Sequence, residues 1–204
     1  MTALTNPPQS AVPAYSHYVI KWASLPWEVR QAMAIRRKVF CHEQGLFDGT
    51  DMDETDQNAQ LLVAVGSLGG MHEQVVGTVR IHQQEPGVWV GSRLAVDPDF
   101  RAQGKLGSTL IQLAVSSAHA QGCQRFLATV QHQNERLFQR LNWHTQGDCI
   151  IRGLRHVTME ADLGHYPPCH TPYAGFTLKA RKTKHSQEEY PGLLSVVTHP
   201  RSIA

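Results

Sequence analysis

The chain has 204 residues, 41% of them hydrophobic and 18% charged, with a formal net charge of +2 at pH 7 and 12 histidines. That length suits one domain with a sizeable core, and the near-neutral balance gives no footing for a protein that depends on nucleic-acid phosphates. No apolar run reaches the length of a membrane span, and Cys41, Cys123, Cys149 and Cys169 are too widely spaced for a paired zinc site, so no metal is expected.

Residues 1–15 contain Pro and Ser and lack both the basic start and the apolar centre of a secretory signal. They read as a flexible leader, and the cysteines as reduced thiols of a cytoplasmic protein. Tyr18-Val19-Ile20 with Trp22 predicts a first strand. Ser24 is placed to cap a helix that carries Pro26 in its first turn. Trp27 to Phe40 then reads as amphipathic, with Val29, Ala32, Met33, Val39 and Phe40 on one face; Arg36 interrupts that face, with Ile35 beside it. Gly45 to Asn58 is a loop rich in Asp48, Asp51, Asp53, Glu54 and Asp56, acidic enough to read as solvated.

Two strands follow, Leu61 to Val65 and Val75 to Ile81, linked through Gly66 to Gly70. Val88 to Val96 is the next strand, and it delivers the most informative stretch of the chain. Asp97-Pro98 leads into Arg101-Ala102-Gln103-Gly104-Lys105-Leu106-Gly107, and a helical pattern starts at once with Leu106, Leu110, Leu113, Ala114 and Ala118 on its apolar face. A strand that feeds a basic, glycine-bearing loop into a helix N-terminus builds an anion site. First-turn amides lack intrahelical acceptors, and the helix dipole favours negative charge there. A phosphate or pyrophosphate is the expected guest.

Gly122 stops that helix. Phe126 to Val130 is a short, nearly all-apolar strand, as in a covered sheet. Asn134 to Leu141 is a second short helix, and Cys149 to Ile151 and His156 to Ala161 read as closing strands. The order implies a mixed α/β sandwich rather than a regular βαβ repeat. After Asp162 the pattern weakens, and Tyr166-Pro167-Pro168 ends it. Residues 164–204 read as an extension whose basic run, Lys179 to Lys184, is a solvated tail rather than a cofactor or RNA contact.

Three pieces together resemble the GCN5-related N-acetyltransferases (GNAT) over Tyr18 to Leu163. Arg101 to Gly107 resembles that superfamily's pyrophosphate loop. Val39-Phe40 with Glu43-Gln44 resembles the end of its first helix. Val130 to Asn134 followed by Leu137 to Trp143 resembles its late helix. The Gln133 to Trp143 stretch, and Asp162-Leu163 before Tyr166-Pro167-Pro168, are similar to a branch found beside bacterial nitrilase genes. The resemblance implies an acyl-CoA N-acyltransferase fold, with a central, mostly antiparallel mixed sheet flanked by helices. It implies acetyl transfer from acetyl-CoA to the primary amine of a small molecule by direct attack, and homodimerisation as a family habit, with neither nucleic acid nor membrane as partner.

Carried onto this sequence, the resemblance gives the main chain of Leu94, Ala95 and Val96 to the pantetheine arm. It gives Arg101, Gln103, Gly104, Lys105 and Gly107 to the pyrophosphate, and Asn134 to the pantetheine end. Glu43 is the expected general base or ammonium ligand; Arg93, Asp56 and Trp143 are the expected acceptor-binding residues. Two departures stand out: Leu106 replaces the usual small residue, and Phe138 occupies the position of the tyrosine that protonates the departing thiolate. Water, or Tyr166 reaching in from the extension, is left to do so. A CoA-binding regulatory or partner subunit with little turnover is the rival reading. Peptide or protein acetylation is a third.

Overall fold

The computed structural model describes residues 13–181. Most of the expected leader, and Lys182 to Lys184 of the basic run, lie outside the described residues.

Eight strands form one sheet: β1 (His17–Trp22), β2 (Gln60–Leu68), β3 (Met71–Glu85), β4 (Val88–Val96), β5 (Arg125–Gln131), β6 (Trp143–Ile151), β7 (Leu154–Ala161) and β8 (Phe176–Lys179). Their order is β6-β7-β5-β4-β3-β2-β1-β8. β4 and β5 run parallel while the other neighbours are antiparallel. The helices are α1 (Pro26–Arg36), α2 (Leu106–Ala120) and α3 (Glu135–Gln139). This is the mixed, mostly antiparallel sheet with flanking helices that the sequence implies.

Each face of the sheet has its own core. On one, Ile20, Leu62, Val79 and Ile81 pack against Leu106, Leu110, Leu113 and Ala114 of α2. On the other, Val63, Val65, Val75 and Ala95 pack against Ala32, Ile35 and Val39. β2 and β3 alternate sides between these cores, as strands covered on both faces do.

Several expectations need correction. The buried stripe of α1 is Glu28, Ala32, Ile35 and Arg36, while Val29 is 39% exposed. Arg36 is therefore a centre of that face, not an interruption. Ser24 does not cap the helix. Glu28 reaches back instead, its Oε2 accepting from the Ser24 and Leu25 amides at 2.8 and 3.1 Å and from Lys21 Nζ at 2.9 Å. The helix continues through a wide π-turn, Arg37–Glu43, with the Gln44 amide donating to Val39 O. Such turns rotate the following side chains and cluster at functional sites.

The extension is partly built into the domain: β8 pairs with β1, and the Trp22 amide donates to Pro172 O. The β2–β3 link shortens to Gly69-Gly70, and β6 begins at Trp143 rather than Cys149.

Candidate active site at the split between β4 and β5

β4 and β5 pair from Val88–Arg125 to Gly91–Ala128 and no further. The reason lies in β4. Against β3, Ser92 pairs with Arg80 and Ala95 with Thr78, so Arg93 and Leu94 face the single residue Val79. This is a β-bulge, and Arg93 takes its strained place at φ 55°. A bulge bends its strand, so β4 leaves β5 at the next residue. Leu94, Ala95 and Val96 thus lie on a strand edge that β5 does not cover, which places the expected pantetheine segment on an open edge.

β4 runs on into a 3-10 turn, Pro98–Gln103, and then α2. Gly104 has φ 81°, a conformation glycine adopts without steric cost. No side chain among the described residues caps α2. Arg101 and Lys105, beside its first turn, are exposed. Gly107 lies against the strand end, where an added Cβ would meet Val96 Cγ2 at 3.9 Å. The expected strand, glycine turn and helix start are therefore present, with the helix entered at Leu106 and the leucine turned into the core.

The ties within the loop differ from expectation. Arg101 donates from Nη1 and Nη2 to both oxygens of Glu43 at 2.7 Å each, and from Nε to Val96 O at 3.2 Å. The Arg101 guanidinium holds the Glu43 carboxyl below its ordinary range. Gln103 Oε1 accepts from the Arg181 amide at 2.9 Å, and the Arg181 guanidinium lies 3.9 Å from where a Gly104 Cβ would stand. Arg181 is thus a further cation over the loop. The chain pattern could not place it, because β8 carries it there from the extension.

A cavity of about 300 Å³ opens at the split. Gln44, Ser92, Arg93, Thr129, Gln131 and Asn134 line its mouth, and Asn134 uses no side-chain cap on α3. Glu43 is adjacent in sequence but does not line the cavity; it faces the anion loop. At the outer rim Phe47 lies between two guanidinium groups. Arg93 Cζ is 4.6 Å and Arg152 Cζ 4.4 Å from its ring centre. Arg152, in the β6–β7 hairpin turn with φ 50°, joins a side of the mouth that no pattern in the chain pointed to. An aromatic residue inside an acidic loop was the available signal for Phe47.

Part of that acidic loop is stapled rather than solvated, while Asp48 and Glu54 are exposed. Arg36 Nε meets Asp51 Oδ2 at 2.8 Å and Arg36 Nη1 meets Asp56 Oδ1 at 2.6 Å. Arg80 Nη1 meets Asp56 Oδ2 at 2.9 Å, and Arg93 reaches Asp51 and Asp53 at 3.0 Å each. Burial opposes ionisation of Asp56, but hydrogen bonds from Arg36 and the Asp53 amide pull its carboxyl far below the usual range. Both Asp56 oxygens are taken, so it positions the loop and is not free to bind an acceptor. Arg93 lines the cavity, yet it is shared with Asp51 and Asp53.

Trp143 forms the cavity's inner wall and is 3% exposed, with its Nε1 donating to Tyr166 Oη at 2.9 Å. Tyr166 Oη in turn donates to Leu141 O. Burial pushes the Tyr166 phenol pKa up. It is a structural bridge and does not reach the cavity, which removes it as a proton donor. Phe138 packs edge-on against Trp143 at 5.1 Å, a hydrocarbon ring where a hydroxyl was missed. Cys123 is buried, which drives its thiol up to about 11; none of the four cysteines is disulfide-bonded. Among the described residues no group of three His, Cys, Asp or Glu side chains is placed to hold a metal, and no helix is long and apolar enough to cross a membrane.

The sequence profile of the acetyltransferase (GNAT) family matches residues 19–143. Solved structures share the architecture. A protein of Lactobacillus plantarum described as an N-acetyltransferase superposes with a TM-score of 0.63 at 19% identity, covering 71% of this chain and 97% of that one. The CoA-dependent acyl-homoserine lactone synthase BjaI gives 0.60 at 17% identity, over 73% and 86%. An acyl-CoA N-acyltransferase of Pseudomonas aeruginosa gives 0.57 at 17%, over 71% and 98%. At these identities the likeness speaks for the fold.

Proposed function

The chain belongs to the acetyltransferase (GNAT) family, and from that premise we propose that it transfers an acyl group, acetyl in the simplest case, from acyl-CoA to the primary amine of a small molecule. One observation carries the reading. The open edge of β4 runs without a break into an uncapped helix N-terminus flanked by Arg101, Lys105 and Arg181. An amide-bearing arm ending in a pyrophosphate fits that sequence of groups, since edge amides and carbonyls pair with the arm and first-turn amides with the anion.

The residues divide the work as follows. The main chain of Leu94, Ala95 and Val96 aligns the donor and offers an amide to the carbonyl oxygen as negative charge develops there. Gly104, Lys105 and Gly107 seat the pyrophosphate; Gln103 holds the Arg181 segment over it. Asn134 and Thr129 line the passage for the thioester end. The acceptor nitrogen forms its bond to the acyl carbon, the carbon–sulfur bond breaks, and the amine's proton leaves.

We assign Glu43, which faces the anion loop from outside the cavity, as the carboxylate that receives that proton by way of water rather than by direct contact with the amine. Arg101 depresses its basicity, and a pyrophosphate that draws Arg101 away restores it. The thiolate departs into an environment of dipoles and water, since Phe138 has no proton to give. Arg93, Arg152 and Phe47 frame the acceptor's entry. Exposed Ile150 on the edge strand β6 supports association of two copies.

Calorimetric titration with acetyl-CoA tests the reading. Wild type should bind in the micromolar range and Gly104→Trp should not, while both melt cooperatively. A folded wild type that ignores acetyl-CoA removes the donor assignment. Binding without thiol release on any amine would favour the rival, a CoA-binding regulatory subunit, which Phe138 makes worth testing.

A further inference from the structure

The cavity does not stop where the strands part. Behind the paired segment Val88–Gly91 it continues between the sheet and the two helices on that face, walled by Val79, Ile111, Ala114, Phe126, Phe138 and Trp143. This inner end carries no charged side chain; Arg93, Arg152 and His156 line the mouth. The one polar atom of the end wall, Trp143 Nε1, is spent on Tyr166. The chamber therefore has nothing to offer a polar guest, whereas an aliphatic guest would desolvate no unmet group on entering.

The chamber is also held open. Phe126 and Phe138 each meet Trp143 edge-on, at 5.8 and 5.1 Å, so the wall is a rigid aromatic corner. Gly91 accommodates that corner: a Cβ there would come within 2.9 Å of Phe126 Cε1. Ala114 and Ala128, small residues in the chamber lining, leave the passage clear. The chamber's apolar walls forfeit dispersion contacts that an aliphatic guest would restore.

We propose that the donated acyl group is an aliphatic chain longer than acetyl, and that it lies in this chamber with its carbonyl at the strand split. The proposal rests on the acyl-CoA reading above and narrows its donor. An acetyl methyl at the split would leave the chamber empty. A chain of four to six carbons would extend past Gly91 and Ala128 toward Trp143.

The test is a calorimetric series on the intact protein with free CoA, acetyl-CoA, butyryl-CoA and hexanoyl-CoA. Full burial is worth about fourfold per methylene, from ~0.8 kcal/mol each; at least a tenfold gain from acetyl to hexanoyl is expected. Ala114→Leu, which fills the chamber, should remove that gain relative to its own affinity for free CoA; the wild-type series decides the matter if the variant does not fold. A flat series with free CoA still bound overturns the proposal and leaves the donor reading standing, with the chamber then available to an apolar acceptor. Loss of all CoA binding overturns both.

Discussion

Glu43 and Arg101 meet end to end across the gap between the first helix and the anion loop, two oxygens against two nitrogens at 2.7 Å. Each is thereby an obstacle to the role proposed for the other: Arg101, the proposed phosphate cation, is neutralised, and Glu43, the proposed proton acceptor, is a weakened base.

Glu43→Gln separates these roles. Freed of its partner, Arg101 should bind CoA about two- to fivefold more tightly, the scale of an exposed ion pair. Turnover should fall by about a hundredfold if Glu43 takes the proton, and the acidic limb of the pH–rate profile should vanish. Tighter CoA with unchanged turnover would leave Glu43 as a latch alone.

Arg181→Ala should weaken CoA binding several-fold and flatten its dependence on salt, because one cation over the loop is lost. Calorimetry at two ionic strengths reads both. An unchanged salt slope would show that Arg181 merely packs on Gly104.

Arg36→Met should cost about 3 kcal/mol in urea unfolding, since Asp51 and Asp56 would remain buried with only Arg93 and Arg80 left to pair them. The same cluster sets acid stability. Asp53 and Asp56 ionise at lower pH folded than unfolded. Their contribution is therefore complete above about pH 4, near the unfolded Asp value, and is lost as pH falls through the folded values. Wild-type stability should decline below that point, and the variant's should decline less.

Tyr166→Phe should destabilise the fold by about 1–3 kcal/mol by orphaning the Trp143 indole N–H. Its pH–rate profile should match wild type. A lost basic limb would return Tyr166 to proton transfer.

How far the sequence could be read follows from where each feature is encoded. The turn from β4 into α2 was legible because its strand, glycine and helix are consecutive, and the sheet because β2, β3 and β5 are apolar runs of the right length. The bulge at Arg93 was not, since an arginine carries no sign of positive φ; pairing with β3 imposes it. Asp56 read as solvated because its partners, Arg36 and Arg80, come from other elements. β8 was missed because four residues after a proline-bearing segment carry almost no period; only pairing with β1 makes them a strand.

The single parallel pairing in the sheet has a consequence for how the molecule can diverge. Reaching β5 in the same direction as β4 requires a crossing through α2. The split, the open edge and the anion loop therefore occupy one unbroken stretch, Gly91 to Gly107. The rim proposed to face the acceptor adds Phe47 and Arg152, drawn from two separate loops, to Arg93 of that stretch. Most of the proposed donor contacts can thus pass between relatives as one inherited block, while Phe47 and Arg152 can drift without disturbing it.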